Sequence, residues 1–163
     1  MVNEEYDLQV LLKLRAKERE EAEARYADAL AAHQGVEREV QQLEVEHQRQ
    51  IRWRVDRCRE FDQRLASGPC AIGEVHEFDR YVEGLRDGEE RARQQLEEAK
   101  RQRRRLRREM EQAQLEMRKA LKQLKAVENH YEKWQRRQKL QAKRRQEAKM
   151  DDVAARMWRD RRS

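Results

Sequence analysis

The side chains of this chain that could do chemistry are four histidines, two cysteines and 33 acidic residues. His33 and His47 share one helical stripe but lie about 21 Å apart along an α-helix, too far to share a metal ion. His76 and His130 each stand alone in the sequence. The sequence has no glycine-rich phosphate loop, no HExxH and no cysteine pair at metal-binding spacing. We therefore expect no catalytic residue, no metal site and no cofactor.

The elements that must carry these residues are long helices with a single interruption. The one proline of the chain, Pro69, follows Gly68, and proline ends one helix and can open the next. Charged residues make up 44% of the chain and hydrophobic residues 37%, enough for a narrow apolar seam but not for a globular core. The sequence predicts an all-α fold, a single elongated antiparallel coiled-coil hairpin over residues 1–163. Its helices should cover about residues 4–66 and 71–158, joined by a turn at 67–70.

Both helices carry an inward stripe with the three-and-four spacing of a coiled coil. In the first helix the stripe is Leu8, Leu12, Arg15, Arg19, Ala22, Tyr26, Ala29, His33, Val36, Val40, Leu43, His47, Ile51, Val55, Cys58 and Leu65. In the second helix it is Val82, Leu85, Glu89, Ala92, Leu96, Ala99, Arg103, Leu106, Met110, Ala113, Met117, Ala120, Leu124, Val127, Tyr131 and Trp134.

The register of the predicted hairpin makes the numbers of facing residues sum to about 137. It predicts that Tyr6 faces Tyr131 and that Trp53 faces Gly84. It separates Cys58 from Cys70, so no disulfide is expected.

The second helix should be the longer one, at roughly 130 Å against 95 Å, and should project past the first helix as a C-terminal overhang. Residues 134–163 contain eleven lysines and arginines and four acidic residues, a net charge of +7, so the preceding residues carry −1 of the chain's +6. Residues 138–145 are basic, and Met150, Val153, Met157 and Trp158 follow as an apolar face. This combination favours insertion into an acidic or grooved partner.

Two further features allow more than one interpretation. Gly84 and Gly88 interrupt a strong helix at a cost of about 1 kcal/mol each. Room for Trp53 would explain Gly84, whereas a docking face for a partner would explain both glycines. The basic run at residues 100–108 is either a solvated face or a nucleic-acid contact, and the absence of aromatic residues within it weakens the second interpretation.

The compartment is predicted from what the chain lacks. It has no apolar run of the ~20 residues needed to span a bilayer. Its first residues do not have the basic-then-apolar pattern of an export signal. We expect a cytoplasmic protein without direct membrane insertion.

Several short motifs resemble the YscO/FliJ family, the stalk proteins of type III secretion and flagellar export. They are the leucine-rich block at residues 8–15, the stretches at 52–56 and 61–64, the segment at 78–86 and the basic tail with residues 149–152. The resemblance covers nearly the whole chain, and the stretch between Trp53 and Arg64 is similar to the injectisome branch.

The resemblance implies an antiparallel coiled coil, not an enzyme, that resembles the γ stalk of rotary ATP synthases and stimulates a hexameric secretion ATPase. Other implied partners are the cytoplasmic domain of the export gate and export chaperones, with the stalk itself a monomer at the cytoplasmic face of the export apparatus. The gate-binding residues would be Tyr81, Leu85, Gly88 and Ala92. The residues at the ATPase pore would be Leu8, Leu11, Leu12, Arg15, Lys143, Arg144, Arg145, Met150 and Val153.

Two alternatives remain open from the sequence. One is a generic scaffold in which hairpins form stable dimers or larger assemblies, and the other is a basic rod that binds nucleic acid or an anionic membrane. Neither DNA nor RNA is the expected partner.

Overall fold

The computed structural model consists of two long helices packed against each other. It describes the backbone of residues 3–162 and the side chains of residues 8–162. Helix α1 is Asn3–Ser67, with 65 residues, and helix α2 is Ile72–Asp160, with 89 residues. No strand occurs between residues 3 and 162. The predicted helical hairpin is confirmed, and the helix ends agree with the sequence to within two residues.

The connection between the helices is short because its residues stop one helix and start the next. Gly68 and Pro69 follow the end of α1, where the Ser67 hydroxyl donates to the Arg64 carbonyl over 2.9 Å. The Ala71 carbonyl accepts from the backbone nitrogens of Glu74 at 3.1 Å and Val75 at 3.3 Å, which closes the first turn of α2. Glu74 places a negative charge in that turn, where the helix dipole favours it.

The chain divides into two compact units. In the unit Arg25–Gln114, the core is formed by Val40, Leu96 and Ala99, with Leu43 packed against them. The other unit comprises the chain up to Ala24 and from Leu115 onward.

In this second unit Ala22, Ala120 and Leu124 are buried, and Arg15 of α1 contacts Gln123 of α2. Every buried residue of the described chain belongs to the stripe predicted from the sequence.

The stripe is wrong near the connection, where Val55 and Leu65 are exposed. Arg54 and Phe61 take the inward positions instead. Arg54 turns inward because Glu89 of α2 lies across from it, with Nε and Oε1 separated by 2.6 Å. Phe61 turns inward because it stacks on Phe78, with ring centroids 3.9 Å apart. Contacts with α2 therefore decide which face of α1 is buried here.

Candidate partner-binding sites

A groove between α1 and α2 lies at the part of α2 that contains Gly84 and Gly88. Its lining, which we call the glycine groove, consists of Glu46, Arg49, Gln50, Trp53, Gly84, Leu85 and Gly88, and it encloses about 510 Å³. Both helices contribute side chains to the groove, and all of these residues belong to the unit Arg25–Gln114.

The wall of the groove is held by aromatic contacts between the helices. Trp53 donates its indole N–H to the Tyr81 hydroxyl over 3.2 Å, and Arg57 lies over the Trp53 ring at 4.4 Å from the centroid. Phe78 stacks on Phe61 and lies 6.1 Å from the Tyr81 ring. Trp53 nevertheless remains 51% exposed. A large aromatic surface is therefore fixed in orientation and still accessible to a partner.

The floor of the groove is open above both glycines. A Cβ atom at Gly84 would meet nothing within 4 Å, and one at Gly88 would meet only the Gln50 Oε1 at 3.9 Å. The Trp53 indole leans toward Tyr81 and does not fill the space above Gly84. Internal packing thus explains neither glycine.

The N-terminal part of α1 is mostly engaged with α2. Leu8, Leu11 and Leu12 are half-buried. Arg15 donates to Glu18 over 2.8 Å and to Gln123 over 3.1 Å. The Tyr6 side chain lies outside the described residues, so its predicted pairing with Tyr131 stays a prediction; Tyr131 itself stacks on Trp134 with ring centroids 5.9 Å apart.

The end of α2 differs from the rest of the hairpin because every residue from 136 to 162 is exposed. We call residues 136–162 the terminal segment. Its Lys143 forms an ion pair with Glu147 at 3.8 Å, whereas Met150 is 65% exposed and Val153, Met157 and Trp158 are more than half exposed. The segment therefore presents apolar and basic side chains that α1 does not cover.

The connection holds a small polar cluster with shifted pKa values. The Cys70 thiol donates to Glu74 over 2.9 Å, and Arg64 donates to the same carboxylate over 3.3 Å. The hydrogen bond to Glu74 raises the pKa of Cys70. The bond from Cys70, together with the charge of Arg64, lowers the pKa of Glu74. Cys58 and Cys70 are both free thiols. A thiol with a raised pKa is a weak nucleophile at neutral pH. We therefore interpret this cluster as a contact that stabilises the turn and not as a reactive site.

The comparison with protein families decides the identification. Residues 3–163 match the YscO-like protein family. The chain belongs to the YscO-like family. No curated protein and no solved structure matches it. The family predicted from the sequence is confirmed, and with it a role as a stalk-type protein of type III secretion.

In this YscO-like chain the residues predicted to bind the export gate are only partly brought together. Tyr81 is exposed, while Leu85 and Gly88 line the glycine groove. Ala92 is 9% exposed and packs in the seam, so it cannot offer a docking surface. The sequence placed Trp53 opposite Gly84, with room for the indole as one of two open explanations of that glycine, and did not name Trp53 among the binding residues. Its position opposite the glycines was the available signal.

The residues predicted for the ATPase pore form two separate groups in this YscO-like hairpin. Arg15 contacts Gln123, so the antiparallel register sets Leu8 opposite about residue 130. Lys143 then lies about 20 Å further along α2. Leu14, with 49% exposure, is more accessible than Leu11 or Leu12 and was missed by the sequence prediction.

The described residues contain no group of three or more histidine, cysteine, aspartate or glutamate side chains placed to hold a metal ion. Within the same residues, neither helix has a stretch long and apolar enough to cross a membrane.

Proposed function

We propose that this protein is the central stalk of a type III secretion export apparatus. It links a hexameric secretion ATPase to the export gate, stimulates the ATPase and does not itself hydrolyse a substrate. The terminal segment is the observation that carries the proposal, because it is a basic and entirely exposed helix end on a hairpin of the YscO-like family. The similarity of the Trp53–Arg64 stretch to the injectisome branch favours an injectisome over a flagellum. We place the protein at the cytoplasmic face of the membrane.

Charge supports the ATPase as the partner of the terminal segment. Residues 134–163 carry +7, and the rest of the chain is close to neutral. Arg144 and Arg145 have no ion-pair partner among the described residues, so their charges are available to an acidic surface. Met150 and Val153 add apolar area that a pore lining can bury. The half-buried Leu8, Leu11, Leu12 and Arg15 form a second contact further along the hairpin.

The stimulation follows from the symmetry of the two-helix end. A pair of helices has no sixfold symmetry, so it makes different contacts with different subunits of a hexameric ring. A ligand shifts a conformational equilibrium only by the difference between its affinities for the two states. Unequal contacts therefore favour some subunit conformations over others, which is what promotes turnover around a ring.

The glycine groove supports the export gate as the second partner. Tyr81, Leu85 and Gly88 line or border an open recess with Trp53 as its wall. An apolar side chain of the gate domain would bury the exposed indole and rest on the glycine floor. Export chaperones are further partners, and the stalk itself is a monomer, which analytical ultracentrifugation at about 20 kDa tests against the scaffold alternative.

The ATPase assay uses charge reversal in the terminal segment. Phosphate release by the purified secretion ATPase is measured with the wild-type chain, with Arg144→Glu/Arg145→Glu and with the control Lys119→Glu/Lys122→Glu. The control residues are exposed on α2 and give the same change of net charge. We expect stimulation by the wild type and the control, and loss of stimulation in the terminal variant. Equal turnover with and without wild-type chain that demonstrably binds would refute the proposal.

The gate assay uses truncation of the groove wall. Titration calorimetry with the cytoplasmic gate domain compares Trp53→Ala with Leu115→Ala, another exposed hydrophobic residue outside the groove. We expect about tenfold weaker binding for Trp53→Ala, since removal of a large aromatic contact costs on the order of 1.4 kcal/mol or more. Leu115→Ala should bind like the wild type. Equal affinities for both variants would remove the glycine groove from the gate contact.

A further inference from the structure

The middle of α2 carries a concentrated positive surface that the proposed stalk function does not use. Arg101, Arg104, Arg105 and Arg108 are exposed and recur at the spacing that brings helical residues to one face. We call these four residues the arginine face. It spans about 10 Å of α2. It points away from α1, because the buried Ala99 and the half-buried Leu106 lie on the opposite side of the helix.

The charges of the arginine face are only partly balanced. Arg101 lies 3.7 Å from Glu98, and Arg105 lies 3.8 Å from Glu109. Both separations are near the upper limit for an ion pair and both pairs are exposed, so they neutralise little. Arg104 and Arg108 have no ion-pair partner in the part of the chain that the structure describes. Like charges three and four residues apart disfavour the helix, so this arrangement weakens α2 without an internal benefit.

The extent of the positive surface indicates what it can bind. Glu97 and Glu98 precede the arginine face, and Glu109 and Glu111 follow it. A long polyanion lying along α2 would meet these carboxylates at both ends, and the basic run contains no aromatic residue on which a base could stack. A short acidic segment fits between the flanking glutamates.

We propose that the arginine face is a docking surface for an acidic helical segment of a partner protein. Carboxylates on such a helix at positions i, i+4 and i+7 repeat with the same rise as the guanidinium groups of α2, so each can meet an arginine. The unpaired Arg104 and Arg108 make the decisive contacts. This surface is separate from the glycine groove and from the terminal segment, and the proposal does not depend on the stalk function.

The test is fluorescence anisotropy with the full-length chain and two fluorescein-labelled helical peptides of identical composition. One peptide has glutamates at positions i, i+4 and i+7, and the other has them in scrambled order. The arginine variant is Arg104→Gln/Arg108→Gln. A matched variant removes the same charge elsewhere on α2, namely Lys119→Gln/Lys122→Gln. All substituted residues are exposed, and circular dichroism verifies equal helix content.

We expect the peptide with glutamates at i, i+4 and i+7, the spaced peptide, to bind at least fivefold more tightly than the scrambled one. The arginine variant should weaken binding of the spaced peptide about fivefold, and the matched variant less than twofold. Equal loss in both variants, or equal binding of both peptides, would mean general attraction to a basic protein and would overturn the proposal. The same anisotropy titration is repeated with a labelled DNA duplex. Tighter binding of the duplex, with the loss confined to the arginine variant, would make the surface a nucleic-acid site instead.

Discussion

Replacing Gly84 and Gly88 together by alanine should make the protein more stable and its gate binding weaker. Both residues lie inside α2, and neither has a positive φ. The added Cβ atom at Gly84 has open space, and the one at Gly88 would rest at ordinary contact distance from Gln50. The helix preference for alanine over glycine is about 1 kcal/mol per residue, so the double variant should gain about 2 kcal/mol. For a chain of this length that corresponds to a rise in Tm of roughly 4–8 °C.

The assay combines thermal unfolding, followed by circular dichroism, with calorimetric titration of the gate domain. Gly35→Ala is the matched control, because Gly35 is exposed within α1, has open space and belongs to the same unit. It should gain about 1 kcal/mol and leave gate affinity unchanged. In the double variant two methyl groups occupy the floor of the glycine groove, so binding should weaken several-fold while stability rises.

Two results would refute this reasoning separately. If the double variant gains less stability than Gly35→Ala, the space above the glycines is not open. If it gains stability and binds the gate domain like the wild type, the space is open but the gate does not use it. Because the double variant is expected to be more stable and to bind the gate domain more weakly, a variant that merely unfolds cannot produce the same result.

Two further predictions concern polar contacts between and beside the helices. Arg54→Ala leaves Glu89, which is 13% exposed, without its ion-pair partner and should lower the free energy of unfolding by about 2 kcal/mol, measured by urea denaturation. A double-mutant cycle with Glu89→Ala that finds a coupling below about 0.5 kcal/mol would contradict a specific pair. Glu74→Gln should lower the raised pKa of Cys70 and speed its alkylation by iodoacetamide near pH 8, followed by peptide mass spectrometry, whereas the exposed control Glu77→Gln should not.

The pH dependence of the same cluster has a defined sign. Because the pKa of Glu74 is lowered in the folded chain, its stabilising contribution is present at neutral pH and is lost as the pH falls through that lowered value. Wild type and Glu74→Gln should therefore differ in stability at pH 7 and converge in acid. A difference that grows on acidification would show that the carboxylate is not the stabilising form.

The sequence was sufficient for the fold wherever a pattern repeats along one helix. The single Gly68-Pro69 break located the connection, and the three-and-four spacing identified Val40, Leu96 and Ala99 as seam residues. It failed at Val55 and Leu65, which are apolar and correctly spaced but exposed.

The reason for that failure is that contacts between the helices, and not the apolar spacing within α1, set the inward face near the connection. Which stripe is buried then depends on residues of the other helix, such as Glu89 and Phe78, and no pattern within α1 contains that information.

The candidate sites divide in the same way. The sequence alone determined that the chain forms two helices, that positive charge gathers after residue 134 and that two glycines weaken α2, because these are properties of consecutive residues. Only the packing of the helices decided that Ala92 is hidden, that Trp53 leans to Tyr81 and that the space above Gly84 stays open. Each of these depends on where atoms distant in the sequence meet, and a groove between two helices exists only after they have packed.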